Sequence, residues 1–155
     1  MIHIKLNSRS KFALDGKLVR QAAKLTLQQA ASDPQSDLTI FLTDDHQLQV
    51  LNLQFLGIDR PTDVLSFPSG EADPQTGKVY LGDVIISQEQ AAIQSEKSGH
   101  PVSSEIQLLT VHGILHLLGF DHDNPNDKKR MWQIQEKVLE KLGLPGLFIQ
   151  ETNGH

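Results

Sequence analysis

The amino-acid sequence predicts an α+β fold in which a small mixed β-sheet packs around a buried central helix. Three observations lead there. Short apolar or alternating runs at 2–6, 37–43 and 79–86 have strand character. Helical spacing or capping signals mark 17–31, 46–56 and 125–142. Residues 104–118 are apolar nearly all round, with Ile106, Leu108, Leu109, Val111, Ile114, Leu115, Leu117 and Leu118. A helix of that kind belongs in the centre of a domain.

Each element has a local reason. Met1-Ile2-His3-Ile4-Lys5-Leu6 alternates apolar and polar residues, and it lacks the apolar stretch of a signal peptide. In the helix at 17–31, Leu18, Ala22 and Leu25 are expected inside, while Lys17, Arg20 and Lys24 share a solvated face. Asp44 can cap the helix at 46–56, with Gln47 as capping-box partner and Gly57 as terminator. Arg60 to Phe67 reads as a loop running into a short strand. The stretch 69–78, with two Gly, one Pro and two acids, reads as a hairpin-like connection. Val79 to Ile86 is the most apolar strand. Ser87, with Gln90 as box partner, caps a helix that ends near Gly99, ahead of Pro101. In the last helix Asn124 is the cap, Pro125 takes the first position and Gly143 follows the end. Met131, Ile134, Val138 and Leu142 form its inward stripe, and Lys128, Lys129 and Arg130 a second basic surface cluster.

A chain of 155 residues suits one core, so a single domain over 1–155 is expected. No apolar run approaches the roughly 20 residues that a membrane span requires. There is no cysteine, so no disulfide supports the fold, and any metal must be held by His, Asp or Glu. A cytoplasmic location is the expectation. The net charge of −5 argues against a general nucleic-acid coat but leaves room for a local basic cleft.

The polar residues on the central helix carry the chemistry. His112 and His116 are four apart, hence one turn apart on one face. Gly119 stands where a helix ends in a left-handed residue, and Phe120 can pack back onto Leu115. The chain then reverses, so that His122 can reach the same ion. Three neutral imidazoles suit zinc and leave a fourth position open for water, the mark of a catalytic rather than a structural site. An ion there would bring the pKa of its water towards neutrality. Three of the seven histidines fall within eleven residues, in the most apolar part of the chain, where imidazoles without partners would be costly. His3, His46, His100 and His155 lack such context and read as surface or structural groups.

The segment His112-Gly113-Ile114-Leu115-His116-Leu117-Leu118-Gly119-Phe120-Asp121-His122 resembles the signature of the YbeY family, single-strand-specific metallo-endoribonucleases linked to ribosomal RNA maturation and ribosome quality control. Pro61-Thr62-Asp63-Val64-Leu65-Ser66-Phe67-Pro68 and Leu81-Gly82-Asp83-Val84-Ile85-Ile86 agree with it, in the family's order and spacing. The resemblance implies one zinc ion on the three histidines and single-stranded RNA, ribosomal RNA above all, as substrate. Ribosome-associated proteins are further partners, in a bacterial-type cytoplasm and away from membranes. One departure stands out. Ahead of the Pro-Thr-Asp block the family carries an aromatic residue, then Arg, then Gly, whereas this chain has Phe55-Leu56-Gly57. Arg60, four residues on, is the candidate to supply the missing catalytic charge. Thr62 and Ser66 either line a substrate cleft or make local turn bonds. Asp121 can orient a ligand histidine, act as a base or stabilise the turn.

Three functions compete. The first is a zinc endoribonuclease in which water or the RNA 2′-hydroxyl attacks phosphorus. The second is a non-catalytic ribosome-assembly factor stabilised by zinc, towards which Leu56 pulls. The third is a metal-dependent hydrolase of peptides. Gly113 speaks against the third, because a zinc peptidase with this spacing carries Glu directly after its first histidine.

Overall fold

Apolar alternation decides which face of each strand is dry, and the dry faces decide where the helices lie. The computed structural model describes residues 1–6, 16–33, 36–121, 123–144, 146, 147 and 149. In chain order its elements are β1 (Ile2–Leu6), α1 (Gly16–Gln29), β2 (Asp37–Thr43), α2 (Asp45–Leu56), β3 (Val64–Ala72), β4 (Val79–Ser87), α3 (Gln88–Ser98), α4 (Val102–Leu117) and α5 (Pro125–Lys141). The strands form one sheet in the order β1-β2-β4-β3. β1, β2 and β4 run parallel, and β3 pairs antiparallel with β4, so the sheet is mixed.

Register places Ile40 beside Val84 and Leu42 beside Ile86, and all four side chains are buried. Helix α4 lies on that face. It is buried without interruption from Ser104 to Leu115, and it touches β3, β4, α1, α3 and α5. The central helix is therefore enclosed by sheet on one side and helices on the others; the sheet does not wrap around it. Two glycines allow the close approach. A Cβ on Gly113 would lie 2.5 Å from Val84 Cγ1 and 3.3 Å from Ser66 Oγ. A Cβ on Gly82 would lie 2.2 Å from the Phe67 carbonyl oxygen and 3.0 Å from Leu117 Cδ2.

Most caps form as the sequence predicts. Asp44 accepts from the Gln47 N–H, Ser87 from the Gln90 N–H and Asn124 from the Asn126 N–H. The Gln90 side chain does not complete a capping box: it donates to Asp45, and the Ser87 N–H donates to the Asp63 carbonyl. Gly57, Gly99 and Gly143 follow their helices at positive φ.

Three further expectations need correction. In α5 the buried residues are Met131, Gln135, Val138 and Leu139, and Ile134 and Leu142 are only half-buried. The inward face of α1 is Val19, Ala22, Ala23, Thr26 and Leu27, and Leu18 and Leu25 are only half-buried. Alanines at 22 and 23 let the helix sit close to α4, which turns the larger leucines to the flanks. β3 is nine residues long rather than short. Its ladder with β4 shifts register between Pro68 and Glu71 and resumes at Glu71–Tyr80 and Ala72–Val79, so the connection shrinks to 73–78. Pro68, which has no N–H to give to a ladder, stands on this edge strand beside the break. Among the described residues no helix is long and apolar enough to cross a membrane.

Gly82 has a φ of +135°, and a methyl there would meet backbone rather than a movable side chain. Gly82→Ala is expected to lower the unfolding free energy by about 2 kcal/mol or more in denaturant titration. A variant as stable as the parent would show that β3 and α4 are less closely packed than described.

Candidate metal centre

The periodicity of α4 brings His112 and His116 together. Their Nε2 atoms lie 3.0 Å apart, and the rings meet edge-on at 81° with centroids 4.6 Å apart. His112 is 2% exposed and His116 half-buried. The Nδ1 of His112 is 3.1 Å from Oε1 of Gln135 on α5. An amide oxygen only accepts, so this contact is a hydrogen bond when Nδ1 carries the ring hydrogen. Tetrahedral zinc with bonds of about 2.0–2.1 Å holds its nitrogens roughly 3.3–3.4 Å apart. The two donors thus suit zinc in chemistry and, within a few tenths of an ångström, in spacing. Among the described residues no group of three His, Cys, Asp or Glu side chains forms a metal cage. His122, the third expected ligand, lies outside the described residues.

Both sides of position 122 are held in place. The Gly119 N–H donates to the His116 carbonyl and the Phe120 N–H to the Leu115 carbonyl, each at 3.0 Å, which is the double bond pattern of a glycine-terminated helix. Gly119 has the expected positive φ, +94°. The Arg130 guanidinium of α5 stacks over the Phe120 ring at 5.5 Å. Asp121 Oδ1 accepts the Asp123 N–H across position 122 at 3.3 Å, a turn bond.

Gly113, which follows the first histidine, is filled from outside by Val84, and its carbonyl accepts from Ser66 Oγ at 2.8 Å. A carboxylate side chain has no room there. Glu105, the carboxylate upstream on α4, is paired with His100 at 2.7 Å, which gives His100 a structural role. His3 and His46 are exposed, and His155 lies outside the described residues.

The loop before β3 is less closely tied to the histidines. Thr62 Oγ1 reaches Asp63 at 3.4 Å, and Asp63, 1% exposed, accepts from Gln94 of α3 at 3.1 Å. Arg60 is exposed, and its backbone carbonyl accepts from the buried Asn52 side chain of α2. Among the described residues no hydrogen bond or ion pair joins its guanidinium to the histidine pair. Leu56 is 61% exposed, and the nearby Phe55 ring packs tilted, at 58°, against Phe67 with centroids 5.0 Å apart. Sequence reasoning overlooked Gln135. Its signal was an amide one turn beyond Met131, within the inward stripe of α5.

The chain matches the family model for Endoribonuclease YbeY over residues 4–143. It belongs to the endoribonuclease YbeY family. The Endoribonuclease YbeY of Roseiflexus sp. (strain RS-1) is 41% identical over 137 residues, covering 84% of this chain and 86% of that one. The Endoribonuclease YbeY of Acetivibrio thermocellus is 37% identical over 140 residues, with coverage of 83% and 86%. Among solved structures, the solution structure of TM1509 from Thermotoga maritima aligns with a TM-score of 0.62 at 28% identity, over 92% of this chain and 89% of that one.

The turn after α4 makes a distinct prediction for this YbeY family member. A Cβ on Gly119 would meet nothing within 4 Å, so any penalty comes from the backbone alone. Gly119→Val is expected to cost about 1–3 kcal/mol in denaturant unfolding, and Gly119→Asn markedly less, since Asn tolerates positive φ. Equal losses in both variants would point to a cause other than backbone conformation.

Proposed function

We propose that this chain is a zinc-dependent endoribonuclease of single-stranded RNA, acting in the bacterial-type cytoplasm on small-subunit ribosomal RNA during ribosome maturation and quality control. The observation that carries the reading is a family match over 4–143 together with two imidazole Nε2 atoms facing each other at 3.0 Å on the buried helix. His112, His116 and His122 would hold the ion, and zinc there would supply Lewis-acid charge beside the scissile phosphate.

The chain's own residues do the rest. Attack on a phosphodiester builds negative charge around phosphorus, and a cation placed there in advance raises the rate. With Leu56 at the family's arginine position, the exposed guanidinium of Arg60 offers a planar fork for two phosphate oxygens. Thr62 and Ser66 follow it towards α4. Ser66 gives its hydrogen to the Gly113 carbonyl and keeps lone pairs that can accept from a ribose hydroxyl. Asp121 Oδ1 accepts the Asp123 N–H, and its other oxygen keeps lone pairs with which to orient a ligand histidine or take a proton. A peptidase role is disfavoured, because at Gly113 even a methyl would press on Val84. Ribosome-associated proteins are the natural partners of such an enzyme. The exposed Leu56 favours one second reading, a zinc-stabilised assembly factor without catalysis.

Incubation of the purified chain with single-stranded ribosomal RNA separates the readings. Cleavage is expected with zinc, loss of cleavage with a chelator, and recovery on adding zinc back. His116→Ala should lose bound zinc and cleavage together. Cleavage that persists in chelator would remove zinc from the mechanism, and bound zinc without any cleavage would leave the assembly factor. Products ending in a 2′,3′-cyclic phosphate would identify the 2′-hydroxyl as nucleophile.

Arg60→Ala should slow cleavage by roughly ten-fold or more, about 1.4 kcal/mol of transition-state stabilisation. Zinc content and melting temperature should stay near those of the parent, with Arg60→Lys intermediate. Parental rates in zinc-replete Arg60→Ala would reduce this residue to a surface arginine.

A further inference from the structure

We propose that Gln135 is a positioning residue that fixes His112 in its Nδ1–H tautomer and so presents its Nε2 lone pair as a preorganised metal ligand. The tautomer part stands on the geometry alone, while the ligand part rests on the zinc reading above.

Helix α5 turns Met131, Val138 and Leu139 into the core, and each is 1% exposed or less. Gln135 shares that face at 4% exposure. An amide in such a place destabilises unless its polar atoms are bonded, and its Oε1 lies 3.1 Å from His112 Nδ1. An amide oxygen cannot donate, so the hydrogen of this bond belongs to the imidazole. A neutral imidazole has one N–H, and Nε2 is then a bare acceptor. That acceptor is 3.0 Å from Nε2 of His116. When a cation arrives, His112 already presents its lone pair.

The identity of the residue matters as well. A carboxylate in this place would also accept from Nδ1–H, but it would add negative charge and raise the basicity of the ligand. The neutral amide orients the ring without that charge, which leaves a bound cation more positive towards an incoming anion. In a chain of net charge −5, the difference favours an anionic substrate.

The test uses the full chain labelled with ¹⁵N-histidine, metal-free and zinc-loaded, as parent, Gln135→Leu and Gln135→Glu. Two-bond ¹⁵N–¹H spectra report each ring's tautomer, and competition with a chromophoric chelator reports zinc affinity. The parent is expected to show His112 as Nδ1–H with or without zinc. Gln135→Leu should lose the His112 preference and weaken zinc binding by roughly ten-fold or more. Gln135→Glu should restore the tautomer and bind zinc at least as tightly as the parent. The inference is overturned if metal-free His112 is Nε2–H in the parent, or if Gln135→Leu leaves both tautomer and affinity unchanged. It is overturned equally if Gln135→Glu fails as Gln135→Leu does, since packing alone would then explain the residue. A parent that binds no zinc would sink the metal reading, yet the tautomer of metal-free His112 would still decide the role of Gln135. Gln135→Met supplies a second apolar variant should Gln135→Leu not fold.

Discussion

The close approach of α4 to the sheet is the constraint on which the other features depend. Imidazoles can be held rigidly only on an element that cannot shift, and the most apolar helix of the chain is clamped from every side. On the sheet side the clamp works through absent side chains. Gly113 admits Val84, and Gly82 admits the Phe67 carbonyl and the end of Leu117. Ser66 then ties β3 to the helix backbone at the residue beside His112. The same contact removes the space in which a peptidase would carry its carboxylate. One packing decision therefore fixes the helix and restricts the chemistry available to it.

Helix α5 closes the other side. Three of its residues act along its length: Arg130 stacks on Phe120, Met131 enters the core and Gln135 meets His112. The turn after α4 is thus bounded by glycine geometry at Gly119, by a cation–π contact at Phe120 and by the Asp121 turn bond. Each is modest by itself, at roughly 0.5–2 kcal/mol. They act on Gly119, Phe120 and Asp121, the residues that lead up to position 122.

Much of this was legible in the sequence, for physical reasons that can be named. Capping residues act locally, so Asp44, Ser87, Asn124 and the glycines after α2, α3 and α5 revealed the helix ends within about two residues. Helical periodicity places His112 beside His116 whatever surrounds them. Features that depend on distant partners were harder to read. The length of β3 depends on its pairing with β4 beyond Pro68. The rotation of α1, which favours Ala23 over Leu25, depends on how near α4 comes. Gln135 could be suspected as a polar residue in an apolar stripe, but its partner lies 23 residues away and only the packing of α5 on α4 reveals it. The loop from Leu56 to Thr62 is where sequence and site are least coupled. Its arginine is exposed.

The electrostatics follow the same division. The chain is net negative, while the exposed guanidiniums of Arg60 and Arg130 are local positive charges. Steering of a polyanion by a surface of this net charge is unfavourable. The metal centre itself is tested most directly by X-ray absorption at the zinc edge of the full chain loaded with one equivalent of zinc. Three imidazole nitrogens and one oxygen at about 2.0–2.1 Å are expected. A first shell with fewer than three imidazoles, or one built on carboxylates, would contradict a centre formed by His112, His116 and His122.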